Sequence, residues 1–278
     1  NIDLFINNYI TDNFPKNCKK IYIHHNIYDD PWVSKKKEKE TCQRLSKYNF
    51  IFIATKEAKI GAEKMFKKNK IESPNIIEVG YFKLDYLLKK IKYKVKDSII
   101  IAPTLIIGFS KYSVVSNLES IIKNILKKSN FKIIIRPHPR DRQNRIYVRI
   151  QKKYSSNLRI SFDHSSNYLE AYTRSKLMIT DISGTAYTFA FLTLSPVIFC
   201  ENKGIKIDSD YLKLNFFKNR NIIGKINKDF HTIDKSLFFL NKNYKTFYKN
   251  IINLRGKIKY LNKSKITIKK HITNIINS

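Results

Sequence analysis

Residues 132–162 read KIIIRPHPRDRQNRIYVRIQKKYSSNLRISF. The opening run, Lys132–Arg136, is short and rich in β-branched residues, which predicts a strand. Pro137 and Pro139 fix the backbone on both sides of His138 and prevent the turn from continuing as helix. Asp141–Tyr154 then mixes charged and apolar residues in the manner of an amphipathic helix, and Leu158–Phe162 returns to a strand pattern. Strand, helix, strand is the unit of a parallel sheet, because parallel neighbours need a crossover connection.

The same alternation extends outward in both directions. Further strands are predicted at Ile21–Ile23, Phe50–Ala54, Ile76–Val79, Ile99–Ala102, Leu177–Thr180 and Pro196–Phe199. Helices are predicted at Ser34–Tyr48, Lys56–Asn69, Leu84–Tyr93, Tyr112–Lys128, Asn167–Arg174 and Thr185–Leu192. A chain patterned in this way is α/β with parallel sheets. The turn- and lysine-rich stretch Tyr81–Asp97 separates an early group of strands from a later one, which puts a lobe boundary near residue 95. An N-terminal lobe is thus expected over 1–95 and a more complete second lobe over 96–240. Residues 241–278 read as one or two helices that pack back on the first lobe. The chain opens on Asn1 and enters an apolar run at once (Ile2, Leu4, Phe5, Ile6), so the first lobe is expected to be truncated at its N-terminus.

With 278 residues and 42% hydrophobic content the chain can fill two modest cores. No stretch of roughly 18 apolar residues is present to span a bilayer, and Cys18, Cys42 and Cys200 are too few and too irregularly spaced for a disulfide framework or a zinc site. Both features fit a protein of the reducing cytoplasm, free or peripheral on the inner face of the cell membrane. The formal net charge of +32, from 54 Lys+Arg against 22 Asp+Glu, fits a solvated basic face, a polyanion partner or an anionic membrane surface. The lysines are spread along the chain instead of gathered in one arm, which argues against a nucleic-acid module.

Three strand ends carry residues suited to chemistry. His24 and His25 follow the strand at Ile21–Ile23, where open α/β sheets bind ligands, so either a general base or a structural histidine fits there. Arg136 and His138 close the strand of the opening segment; a guanidinium suits bidentate phosphate binding and the histidine can donate to a phosphate oxygen. Leu177–Thr180 runs into Asp181-Ile182-Ser183-Gly184-Thr185 and then a helix start, the arrangement of an anion site or of plain helix capping. His164 is a weaker candidate for nucleotide contact, and Asp29 with Asp30 for a metal ion, because adjacent carboxylates in extended chain diverge. Zinc spacing, a Walker loop and Gly-x-Gly-x-x-Gly are all lacking, so neither metal nor cofactor is expected.

In order along the chain, these residues resemble the CDP-glycerol glycerophosphotransferase family, which assembles teichoic-acid-like polymers and related capsules. Val79-Gly80-Tyr81-Phe82-Lys83-Leu84-Asp85 looks like that family's Gly-Tyr-Pro-Arg-x-Asp segment, and Ala102-Pro103-Thr104 like its Ala-Pro-Thr strand end. Arg136-Pro137-His138-Pro139 matches Arg-Pro-His-Pro, Thr180-Asp181-Ile182-Ser183 is similar to Thr-Asp-Tyr-Ser-Ser, and Pro196-Val197-Ile198-Phe199 looks like the strand that follows. Asn26 stands where the family has Gly after its histidine, Gly184 replaces the second serine of the turn, and Pro and Arg are missing from the Gly-Tyr segment.

The resemblance implies a GT-B-like fold, two Rossmann-like lobes with parallel sheets facing a cleft, the first on the acceptor side and the second holding the nucleotide donor. It implies His25 as the base that deprotonates the acceptor, with His24 the alternative and His138 acting on the donor. Arg136, His138, Asp181, Ser183, Gly184, Thr185 and Thr104 would then form the donor-phosphate site. The implied reaction transfers glycerol phosphate, or a similar polyol phosphate, from a CDP-activated donor to a polymer or glycan hydroxyl. A GT-B glycosyltransferase using a CMP- or UDP-sugar is the alternative, and a non-catalytic polyanion-binding protein the second.

Overall fold

The structure, a computed structural model, describes residues 3–29, 35–92, 94–207 and 209–278. Two compact units account for the chain: Asn1–Lys89 with Ile207–Lys218 and Gly256–Ser278, and Lys90–Lys206 with Asn219–Arg255.

The first unit holds a four-stranded parallel sheet of β1 (Leu4–Asn7), β2 (Lys19–Ile23), β3 (Phe50–Ile53) and β4 (Asn75–Glu78), in the order β1-β2-β3-β4. Around it lie α1 (Lys35–Leu45), α2 (Lys56–Asn69) and α3 (Phe82–Lys90). Thr55 starts α2 by accepting the Ala58 N–H, and Lys70 ends it in the left-handed conformation. One sheet face packs Tyr22, Ile51, Ile53 and Ile76 against Cys42, Leu45, Ala58 and Phe66 of α1 and α2. The other packs Ile21, Phe52 and Val79 against Ile268, Ile272 and Ile275 of the C-terminal helix Ser264–Asn277. That helix is fastened by Asp85, buried on α3, whose carboxylate accepts the N–H groups of Asn262 (2.7 Å) and Ser264 (3.0 Å).

The second unit is a six-stranded parallel sheet of β5 (Ser98–Ile101), β6 (Lys132–Ile135), β7 (Ile160–Phe162), β8 (Ser175–Thr180), β9 (Val197–Cys200) and β10 (Gly224–Asn227). Its order, β10-β9-β8-β5-β6-β7, is doubly wound and reverses direction between β5 and β8. The crossovers include α4 (Leu118–Lys128), α5 (Arg145–Lys153), α6 (Leu169–Arg174) and α7 (Thr185–Thr193). Leu118, Ile121, Ile122 and Ile125 of α4 fall at helical spacing and are all fully buried. Each such side chain contributes roughly 1.5–3 kcal/mol of burial. The helix α7 is buried along nearly its whole length, as its run of Ala, Phe, Leu and Tyr requires.

All eight predicted strands are present, shifted by a residue or two at their ends. Two were not anticipated: β1, and the edge strand β10, whose four residues GKIN carry little apolar signal. Gly224 opens β10 because a Cβ there would sit 1.8 Å from the Val197 carbonyl oxygen. The helix expected from Asp141 begins at Arg145 instead, since Pro139–Asp141 forms a 3-10 turn and Asn144 caps α5 by accepting the Ile146 N–H at 3.0 Å. Ser34, the expected start of α1, lies outside the described residues.

The units divide after Lys89, and the tail expected to pack as one piece from residue 241 is split between them. Phe247, on the helix Tyr244–Gly256, joins the core of the second unit, while only the C-terminal helix packs on the first.

Candidate functional site

In doubly wound sheets, ligands bind beyond the carboxyl ends of the strands where the order reverses. Here that point lies between β5 and β8, and the predicted donor residues occupy the loops after β5, β6 and β8. Asp181 follows β8, is completely buried, and accepts the backbone N–H of Thr104 and of Val114, each at 3.0 Å. Asp141, also buried, accepts the Ile106 N–H at 2.8 Å. Two carboxylates thereby pin the loop that leaves β5. Burial pushes the Asp181 carboxyl up to about 6, against the lowering effect of the N–H bonds from Val114 and Thr104.

This placement corrects the reading of Asp181 as a phosphate ligand. Enclosed, and with both oxygens turned to backbone donors, it shapes the loop and cannot reach an anion. Thr104 is half-buried beside it, its N–H committed to that carboxylate. The threonine's part in the loop is therefore fixed by Asp181.

His138 is half-buried after β6, and its Nδ1 accepts the Arg140 N–H at 3.2 Å. An accepting Nδ1 places the ring proton on Nε2, so the free edge of the neutral ring is a hydrogen-bond donor. Burial lowers the His138 pKa, with Asp141 opposing and Arg140 reinforcing the shift, so the ring is neutral at pH 7. A neutral donor at a strand end suits a phosphate oxygen.

Arg136 is more occupied than its sequence context suggests. Its guanidinium pairs with Asp163, donates to the Ser165 carbonyl at 3.1 Å and lies 5.4 Å over the Tyr168 ring. Burial raises the Asp163 carboxyl, but the Ser165 hydrogen bonds and the Arg136 charge outweigh it and hold the group below its ordinary range. Tyr168 in turn packs on Tyr172, with 4.7 Å between ring centroids, and the Tyr172 hydroxyl bonds Thr185 at the start of α7. A chain of contacts therefore joins the end of β6 to the first turn of α7.

At that turn Ser183 and Gly184 are half-buried, and no side chain caps the helix. Gly184 has φ −61, an ordinary right-handed conformation, so its backbone does not demand glycine. The uncapped N-terminus of a nine-residue helix, lying at the switch point, has the polarity for an anion. The Thr185 hydroxyl is committed to Tyr172.

In the first unit the two adjacent histidines differ. His24 continues the pairing of β2, its N–H donating to the Phe52 carbonyl at 2.8 Å, and its ring is buried. With Tyr22, Asp29, Glu57 and Met65 it lines a cavity of about 640 Å³. His25 is exposed; its Nδ1 lies 3.3 Å from the Tyr22 hydroxyl, and its carbonyl accepts the Tyr81 hydroxyl at 2.9 Å. Of the two rings, the exposed one of His25 is the more accessible. Asp29 accepts the Asn215 N–H at 2.9 Å and anchors the segment that follows Ile207, while Asp30 lies outside the described residues. Among the described residues no three His, Cys, Asp or Glu side chains group as a metal site, and no helix is long and apolar enough to cross a membrane. His164 stacks on Phe162 at 6.0 Å.

A sequence model described as CDP-glycerol:poly(glycerophosphate) glycerophosphotransferase matches residues 21–204, taking in every strand end just described. The chain belongs to this family. Among curated relatives of this glycerophosphotransferase-family chain, the minor teichoic acid biosynthesis protein GgaB of Bacillus subtilis (strain 168) is 32% identical over 143 residues. The match covers 49% of this chain and 14% of GgaB, so the chain spans a small part of that relative's length.

Solved structures of the wall teichoic acid polymerase TagF superpose with TM-score 0.59 at 17% identity, covering 99% of this chain and 72% of TagF. A TagF variant soaked with CDPG for 15 minutes gives 0.63 at 16% identity over the same shares. The pneumococcal O-GlcNAc transferase GtfA, in complex with UDP and GlcNAc, gives 0.56 at 9% identity, covering 94% of this chain and 53% of GtfA. These likenesses are of fold, and they put the family chain in the GT-B-like α/β class.

Asp163, Tyr168, Tyr172 and Asp141 were not singled out from sequence. Tyr168 and Tyr172 carried a signal in their spacing of four, which sets both on one face of a helix start. Asp163 stood directly after a predicted strand, where a carboxylate partner for Arg136 could have been sought.

Proposed function

We propose that this chain is the catalytic core of a transferase that moves glycerol phosphate, or a similar polyol phosphate, from a CDP-activated donor to a hydroxyl of a cell-surface polymer or glycan acceptor. The observation that carries the reading is the doubly wound unit in which His138 and the uncapped start of α7 follow strands at or next to the switch point, in a chain of the glycerophosphotransferase family.

The acceptor hydroxyl gives its proton to Nε2 of His25 as its oxygen bonds to the phosphorus that carries glycerol. The bond from that phosphorus to the bridging oxygen breaks, and the electron pair leaves with CMP. Negative charge builds on the departing phosphate, where preorganised donors lower the barrier most. The His138 Nε2–H and the backbone N–H of Thr185 at the start of α7 supply such donors. Arg136, held by Asp163 and Tyr168, adds positive charge without having to be bidentate. The net charge of +32 supports a place on the inner, anionic face of the membrane beside an anionic product.

Titration calorimetry with CDP-glycerol tests the donor site. His138→Ala should weaken binding about ten- to a hundredfold, the loss of one hydrogen bond to a charged group. Equal affinity in the two proteins would remove His138 from the site. Preference for a UDP-sugar would move the chain to glycosyl transfer.

A further inference from the structure

We propose that Tyr22 and Tyr81 are positioning residues for His25, one fixing its ring and tautomer, the other its backbone. The inference rests on the reading of His25 as the base and deepens it.

A neutral imidazole has one N–H and one lone pair, and only the nitrogen with the lone pair can take a proton. The Tyr22 hydroxyl lies 3.3 Å from His25 Nδ1. When the phenol oxygen accepts from Nδ1–H, the lone pair is on Nε2, and the same bond persists after Nε2 is protonated. If the phenol donates instead, Nε2 already carries a proton and His25 cannot act as a base through it. Tyr22 is well suited to a fixed role, being 1% exposed on β2 with its ring 5.6 Å from that of Tyr48. A buried phenol cannot follow a moving histidine, so it sets where the ring lies. In this respect the pair resembles other base histidines, whose second nitrogen is held by a third group.

Tyr81 acts from the end of a different strand. Its hydroxyl donates to the His25 carbonyl at 2.9 Å, and it is 5% exposed. The segment that carries it is itself immobilised. Gly80 has φ +84, a conformation that favours glycine, and a Cβ there would meet the Tyr260 Cβ at 2.8 Å. Four residues after Tyr81, Asp85 bonds the N–H groups of Asn262 and Ser264. The Gly-Tyr segment thus ties the backbone of His25 to the docked C-terminal helix, a function its sequence did not suggest.

The direct test is ¹⁵N NMR of histidine-labelled protein, with the His25 signals assigned by their loss in His25→Gln. The wild-type ring should be in the Nδ1–H tautomer, and Tyr22→Phe, which removes only the hydroxyl, should shift it toward Nε2–H. In transfer assays Tyr22→Phe and Tyr81→Phe should each lower kcat about ten-fold, the loss of one hydrogen bond, with KM for the donor within about two-fold. A wild-type Nε2–H tautomer, or one unchanged in Tyr22→Phe, overturns the positioning proposal whatever the activity does. A tautomer that shifts in Tyr22→Phe while His25→Gln keeps full activity overturns instead the assignment of His25 as the base.

Discussion

Replacing Asp181 by asparagine should change the pH dependence of stability more than stability itself. The carboxyl is completely buried, and burial raises it from 3.8 to about 6. An acid whose folded pKa lies above its unfolded one contributes stability that is fully present below pH 4 and lost as pH rises through 6. Ionisation in place therefore costs about 3 kcal/mol above that window. Asparagine never ionises and escapes this cost. It offers one acceptor where two backbone N–H groups, of Thr104 and Val114, require them, and its NH₂ faces the second donor. That mismatch costs about 1–3 kcal/mol at every pH.

Urea unfolding of both proteins by circular dichroism, from pH 4 to pH 8, separates the two effects. Other carboxylates titrate alike in both, so the difference between them isolates Asp181. The variant should be weaker by about 1–3 kcal/mol at pH 4, and the gap should close or reverse by about 3 kcal/mol toward pH 8. A gap that stays constant across the range would refute the placement of Asp181 as an enclosed, raised carboxyl.

Gly80→Ala should lower stability by about 1–3 kcal/mol, combining a left-handed φ with the Tyr260 contact, and should render the C-terminal helix sensitive to limited proteolysis. Ile122→Ala, in the fully buried face of α4, should cost about 2–5 kcal/mol by thermal or urea unfolding without altering any ligand contact. Asp163→Ala should leave the Arg136 guanidinium without its carboxylate and lower donor affinity in calorimetry, because Arg136 would lose its orientation over Tyr168; unchanged affinity would set the pair apart from the donor site.

The alternation of isoleucine-rich runs with charged amphipathic stretches carried the fold, because a strand buried on both faces advertises itself by β-branched residues alone, as in Ile133–Ile135 or Ile99–Ile101. The edge strand β10 lacked that signal, having only Ile226 as a β-branched residue beside Gly224, Lys225 and Asn227. Strand ends pointed to the pair His24 and His25, to Arg136 and to His138, since residue type and position together suggest a site, and the family resemblance favoured His25 within the pair. What the sequence could not convey was which partner each polar group takes. Asp181 reads as a helix cap beside an anion site, yet its neighbours in space, Thr104 and Val114, are far away along the chain. The histidine pair shows the same limit, for only the geometry at the end of β2 separates a buried ring from an exposed one.

The most direct test of the account is to identify, by mass spectrometry, the nucleotide released when the protein is incubated with CDP-glycerol and a poly(glycerol phosphate) acceptor. The account predicts CMP, released in step with lengthening of the acceptor by one glycerol phosphate, and its loss in His25→Ala and His138→Ala. CMP formation that persists undiminished in both variants, or turnover of a UDP-sugar in place of CDP-glycerol, would contradict it.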